Sequence, residues 1–237
     1  MSLLSVVQTA CGELGITQPA QVVGSTDVAV QQLLALANRT GERLLARADW
    51  SLPIREATFV TVADKRQGDI ATICPGFRYP IPNTMWDRST RWPIGGPISP
   101  QEWQWDMAWT TAGPFYRFRV WQGGLWLFPA PPAGETVAFE YATANWVVAA
   151  DGVTTRPAYE ADTDNALVDE QLLIMGLRWR WRAAKGFDYS EEQAEFEGAV
   201  REAIARDGGK STLALDAGSA DFDPRMSVIA PPGSWHL

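Results

Sequence analysis

Histidine and cysteine are nearly absent. The 237-residue chain has one histidine, His236, and two cysteines, Cys11 and Cys74. A Ser-His-Asp or Cys-His site would have to rely on the residue next to last in the chain, a poor place to hold catalytic geometry. With two cysteines far apart and one histidine there is no zinc signature. No disulfide framework is supported either, so two reduced thiols are expected. No phosphate loop or dinucleotide fingerprint occurs, because Gly95-Gly96 and Gly123-Gly124 are turn glycines that lead into no helical phosphate site. No run of 18 apolar residues is present to span a membrane. The N-terminus lacks a basic region and Glu13 interrupts the first apolar stretch, so no signal peptide is expected. These absences predict a non-enzymatic protein with no cofactor and no metal, used in a cytoplasm or assembled there into something exported later.

Basic charge is also scarce. Twenty Lys and Arg stand against 28 Asp and Glu, a net charge of −8. Such a surface repels phosphate backbones on average, so nucleic-acid binding requires a local basic patch. The densest basic run is Arg178-Trp179-Arg180-Trp181-Arg182. With 46% hydrophobic and 20% charged residues, the composition is that of a globular chain long enough to bury a substantial core.

Helical spacing appears at both ends of the chain. Leu3, Val6, Val7, Ala10 and Leu14 form one stripe, with Gly15 as the stop. After a loop, Asp27 or a neighbour can cap a second helix carrying Val30, Leu33, Leu34, Ala37, Gly41, Leu44, Leu45 and Ala48. Residues 1–52 therefore read as an N-terminal helix pair. Residues 53–160 form a Trp- and Pro-rich insertion with β character. They contain a strand over 54–62, a short helix opened by Ser99-Pro100-Gln101-Glu102, a hairpin of 115–121 with 125–128, and a strand over 136–141. A small antiparallel sheet or a barrel would fit this pattern. Residues 161–206 read as a second helix pair. Its first member opens at Asp162-Thr163-Asp164-Asn165 and is apolar nearly all round, so it should be the central helix. Its second member follows the capping box Ser190-Glu191-Glu192-Gln193. Residues 207–237 form a Gly/Ser/Pro-rich arm that can reach at most about 100 Å when extended. The expected fold class is α+β: an antiparallel helical bundle with a β-rich insertion and an extended C-terminal arm.

Three kinds of side chain compete for function. Glu102 and Asp106 lie four apart on the short helix and could act as paired carboxylates, although capping or a solvated face explains them more simply. Asp162 and Asp164 could hold a divalent ion, but a helix N-terminus accounts for both. Seven of the twelve tryptophans, Trp86, Trp92, Trp103, Trp105, Trp109, Trp121 and Trp126, fall in one stretch. Exposed indoles could stack on sugars, whereas core filling and subunit contact need no ligand and are preferred. Trp103, Trp105 and Trp109 cannot share one helical face, so at least one should face solvent or a partner. Arg178, Arg180 and Arg182 could contact nucleic acid, but they stand at a helix C-terminus, where cations meet the dipole and can pair with acids of a neighbouring chain.

The order of these elements resembles the head-to-tail adaptor proteins of short-tailed bacteriophages, the tail tubular or tail accessory group. The resemblance rests on Ala48-Asp49-Trp50-Ser51-Leu52, Trp86-Asp87, Pro97-Ile98-Ser99-Pro100, Glu102-Trp103, Gly124-Leu125-Trp126-Leu127-Phe128-Pro129-Ala130-Pro131, Phe139-Glu140-Tyr141 and Asp162-Thr163-Asp164 leading on to Arg182. It covers residues 1 to about 206. It implies a structural virion protein in the tail below the portal vertex, assembled in the host cytoplasm. Twelve copies would form a ring that joins the portal protein to the tail nozzle protein, and DNA would pass through the lumen without sequence-specific binding. The arm would dock on the portal or a neighbouring subunit through Leu213, Leu215, Phe222, Met226, Val228, Ile229 and Trp235. Trp103, Trp105, Trp109, Arg178, Arg180 and Arg182 are candidates for subunit or nozzle contacts. The rival reading is a carbohydrate- or cell-wall-binding module that uses exposed tryptophans; an acid-base hydrolase is weaker still.

Overall fold

The computed structural model describes residues 1–108 and 115–207. Trp109 and the arm residues Leu213, Leu215, Phe222, Met226, Val228, Ile229 and Trp235 lie outside the described residues. In chain order the helices are α1 (Leu3–Leu14), α2 (Val28–Leu45), α3 (Ile70–Ile73), α4 (Pro100–Ala108), α5 (Glu170–Lys185) and α6 (Ser190–Asp207). The longer strands are β1 (Ile54–Val60), β2 (Arg66–Asp69), β3 (Phe77–Pro80), β6 (Arg117–Trp121), β7 (Gly124–Phe128) and β8 (Thr136–Thr143). Two-residue strands complete the set: β4 (Trp86–Asp87), β5 (Trp92–Pro93), β9 (Val147–Val148), β10 (Thr155–Arg156) and β11 (Asn165–Ala166). The class is mixed α+β.

The chain divides into two compact units. One comprises Met1–Arg55, Gly76–Tyr79 and the residues from Tyr141 through α6; the other comprises Glu56–Pro75 and Pro80–Glu140. In the first unit α5 packs against α1, α2 and α6. Its Leu172, Leu173, Ile174, Gly176, Leu177 and Trp181 are buried, consistent with its nearly all-round apolar pattern. Around it stand Leu3, Val6, Val7 and Ala10 of α1, Leu33, Ala37 and Leu44 of α2, and Phe196 and Val200 of α6. Complete burial of one such side chain is worth about 1.5–3 kcal/mol.

The ends of α1 and the start of α2 follow the sequence signals, whereas α2 stops at Leu45, short of the Ala48 in its expected stripe. Ser2 caps α1, and Gly15 closes it in the left-handed region at φ 66°. Asp27 caps α2 through Ala29 N. The expected start of α5 is corrected. The helix begins at Glu170 behind an Asp169 cap, not at Asn165, which belongs to β11. Asp162 and Asp164 are engaged elsewhere. Asp162 accepts from Val22 N and Val23 N, the latter at 2.7 Å. Asp164, 1% exposed, accepts from Glu160 N and Ala161 N and pairs with Arg156 at 3.2 Å. The backbone carbonyls of the same two residues accept from Leu4 N and Leu3 N, satisfying two open donors at the start of α1. The loop thus caps α1 rather than α5. At α6 the cap is also displaced: Asp188, not Ser190, supplies the accepting oxygen, taking both Ser190 N and Ser190 Oγ.

In the second unit the β segments form small antiparallel sheets, and no barrel is present among the described residues. One sheet has the order β2-β7-β6, with β6 and β7 joined by a tight turn at Gln122 and Gly123, both at positive φ. Another has the order β1-β8-β4-β5. Several of these strands are two residues long, too short to wrap into a closed wall. The short helix is α4, and its reciprocal box is formed: Glu102 N donates to Ser99 Oγ at 3.2 Å and Ser99 N to Glu102 Oε2 at 2.8 Å.

Two glycines in the first unit hold positions a larger residue cannot take. A Cβ on Gly41 of α2 would overlap the Trp146 ring, which is wholly buried, and one on Gly176 of α5 would overlap Thr40 and press on Phe196. Mid-helix glycine costs roughly 1 kcal/mol relative to alanine, so close packing must offset that loss. Gly198 of α6 meets nothing within 4 Å. Gly41→Ala is therefore expected to destabilise by about 1–2 kcal/mol in urea unfolding, overpacking outweighing propensity. Gly198→Ala is expected to stabilise by up to about 1 kcal/mol. Equal gains from both substitutions would contradict this packing.

Candidate interaction surfaces

The tryptophans of the second unit separate into buried and exposed sets. Trp103 on α4 is 5% exposed, with its ring edge-on to Trp126 and Phe128 at 6.4 and 6.3 Å. Trp126 also meets Trp121 at 5.5 Å. Trp105, two residues from Trp103 and thus on another helical face, is 62% exposed. Trp92, half exposed, lies 5.3 Å from Phe115, and Arg119 lies over Trp121. The stretch thus supplies part of a core and a discontinuous set of exposed indoles.

The candidate carboxylates have structural work. Glu102 caps α4, and the backbone and hydroxyl of Ser99 hold its carboxyl below the usual range. Asp106 accepts both ends of a contact from Arg117, at 3.0 and 3.1 Å. A different acidic pair, 48 positions apart in sequence and carrying no local signal there, is formed by Asp87 and Glu135. Asp87 is fully buried and holds the turn after β4 through Ser89 N, Thr90 N and Thr90 Oγ1. Burial, then the charge of Asp87 and a hydrogen bond to it, pushes the Glu135 carboxyl upward. Its buried Oε2 meets no N–H or O–H donor, so a proton shared with Asp87 would satisfy it. Among the described residues no group of three or more His, Cys, Asp or Glu could hold a metal ion. Cys11 and Cys74 are buried free thiols, and burial pushes the second up to about 12, far from a reactive thiolate.

The Arg-Trp run on α5 is split by the helix. Arg178 pairs with Glu13 of α1 at 3.0 Å and Glu195 of α6 at 2.6 Å. Arg182 pairs with Glu192 at 2.6 Å. Arg180 lies instead over the Trp179 ring at 4.2 Å and donates from Nε to Thr40 Oγ1 at 3.0 Å. It lines a recess of about 410 Å³ with Arg39 and Arg43 of α2, Arg47 just beyond the end of α2, Trp179, and Gln193 and Glu197 of α6. Burial and then the positive charge of Arg39, Arg43 and Arg47 lower the Arg180 guanidinium to about 10.

The sequence matches the SU10 adaptor protein family over residues 1–221. The chain belongs to the SU10 adaptor family. This is a family of phage structural adaptors, not of enzymes, and its match runs through both helical segments and the whole β-rich stretch. Compared with individually curated proteins, the sequence gives no match. For this SU10 adaptor family member no described helix is long and apolar enough to cross a membrane.

The Asp87–Glu135 pair yields a pH-dependent prediction. Since the Glu135 carboxyl titrates higher in the folded chain, its ionisation opposes folding. The penalty is absent when both states are protonated, sets in as pH rises past the unfolded value near 4.3, and is complete above the folded value. Glu135→Gln is thus expected to raise Tm at pH 7, with the gain vanishing below about pH 4. Equal melting of both proteins at pH 7 would refute the assignment.

Proposed function

We propose that this chain is a ring-forming head-to-tail adaptor that joins a portal protein to a tail nozzle protein and continues the DNA channel between them. The observation that carries the reading is the family match over residues 1–221, to which the resemblance to adaptors of short-tailed phages adds the portal, the nozzle and a ring of twelve copies. The acidic net charge suits a conduit, because a lumen of like charge lets DNA slide where a basic one would retain it. In this reading the protein resides in the virion at the head–tail junction. Exposed Trp86, Trp92, Trp105 and Trp121 supply contact area for a neighbour or the nozzle. In the same reading, residues 207–237 are the segment that docks on the portal.

Native mass spectrometry of the purified protein, alone and with its portal, tests the reading. A stoichiometric complex of about twelve copies is expected, and a chain that ignores the portal would refute it. Removal of residues after Asp207 is expected to leave a folded protein that fails to dock. Normal docking by the truncated chain would exclude the arm from that role.

The exposed indoles also favour one alternative, a surface for cell-wall sugars. Binding to peptidoglycan or host glycans that is lost in Trp92→Ala and Trp105→Ala would support it, and absence of such binding would remove it.

A further inference from the structure

The recess between α2, α5 and α6 concentrates positive charge in an acidic chain. Arg39 and Arg43 lie four apart on one face of α2, Arg47 follows just beyond the end of the helix, and Arg180 enters from α5. Arg201 of α6 adds a fifth guanidinium beside Glu197. Four of the chain's 20 basic residues thus line the recess with one of its 28 acidic residues. That acid is already committed: Glu197 takes a two-point contact from Arg47 and accepts from no other side chain of the recess. Among the described residues, no carboxylate lies within ion-pair distance of Arg39, Arg43 or Arg180, whereas Arg178 and Arg182 on the same helix are both paired.

Like charges gathered at a half-buried position repel one another, and the arrangement gains from an anion brought in from outside. Arg180 is held in place for such a contact by the Trp179 face and the Thr40 hydroxyl, leaving its terminal nitrogens directed to neither. Planar guanidinium forks match carboxylate and phosphate oxygens equally well. Shape and charge decide between them. A recess of about 410 Å³ with the half-buried Arg180 in its wall admits a projecting side chain. The chain as a whole carries a net charge of −8, which opposes a polyanion at long range and supplies carboxylates on the surface of another copy of itself.

We propose that the Arg39–Arg43–Arg180 recess is the docking site for an Asp- or Glu-bearing surface of a second copy of this chain in the assembled ring. This inference rests on the ring reading above and names the contact that would bind neighbours. Arg39→Glu/Arg43→Glu tests it, since both side chains project from the exposed face of α2. Its far-ultraviolet circular dichroism should match the wild type, and its Tm should be no lower, since the substitutions relieve repulsion on Arg180. Its assembly on the portal, followed by native mass spectrometry, should weaken at least about tenfold, because like charges face each other across the contact. In parallel, Arg43→Cys carrying a photo-crosslinker, mixed with isotope-labelled copies, should join to peptides of the labelled copy that contain Asp or Glu.

Wild-type and Arg39→Glu/Arg43→Glu rings of equal strength would overturn this inference alone. Failure of the wild type to form any ring would overturn the ring reading and this inference with it. Unchanged assembly combined with duplex DNA binding that the double substitution abolishes would reassign the recess to nucleic acid.

Discussion

The closeness of α2 and α5 is the constraint on which the first unit depends. Gly41 and Gly176 leave no room for a Cβ, and the space they vacate is taken by the Trp146 ring on one side and by Thr40 and Phe196 on the other. Trp146 reaches the site from outside the helices and meets Tyr159 edge-on at 4.9 Å. It thereby ties the segment between β8 and α5 to the same core that α1 and α6 share. With the two helices this close, the α2 arginines and Arg180 are drawn round one recess. The charge cluster is a consequence of how tightly the core packs.

A second dependency runs through the loop before α5. Asp162 and Asp164 serve with both carboxylates and carbonyls, holding residues 22–23 and 160–161 and completing the first turn of α1. Each of these groups would be costly to bury unmatched, so one short loop satisfies donors of its own and of two stretches that are distant in sequence.

What could be read from sequence follows from the range of the forces involved. The stripes of α1 and α2, the Ser2 and Asp27 caps, the Ser99–Glu102 box and the β6–β7 turn depend on residues within a few positions of one another, and each lies where local pattern places it. The start of α5 differs from the local pattern because Asp162 and Asp164 look like caps in sequence, while the Asp162 carboxylate serves Val22, 140 positions away, and Asp164 serves its own loop. The same holds for the acidic pair and the basic recess. Glu135 has no local link to Asp87, and the spacing of Arg39, Arg43 and Arg47 is visible in sequence but acquires meaning only when Arg180 faces it. Trp103 and Trp105 could be assigned to different faces by helical geometry alone, but which of them is buried depends on β7, whose Trp126 and Phe128 cover Trp103.

In the ring proposed above, an acidic protein beside copies of itself would face an electrostatic problem with a short-range solution. At physiological salt, repulsion between net charges of −8 is largely screened beyond roughly 8 Å, so it does not prevent approach. Contacts inside that distance decide whether neighbours stay. A few guanidiniums left without internal acids, set in a recess that excludes part of the solvent, act in that range, where partial burial strengthens each pair. The pairs formed by Arg178 and Arg182 show that α5 can satisfy its arginines from α1 and α6. On the α2 side no such acids face Arg180, and that asymmetry fits a helix whose two flanks have different duties, one holding the unit together and the other left for a neighbour.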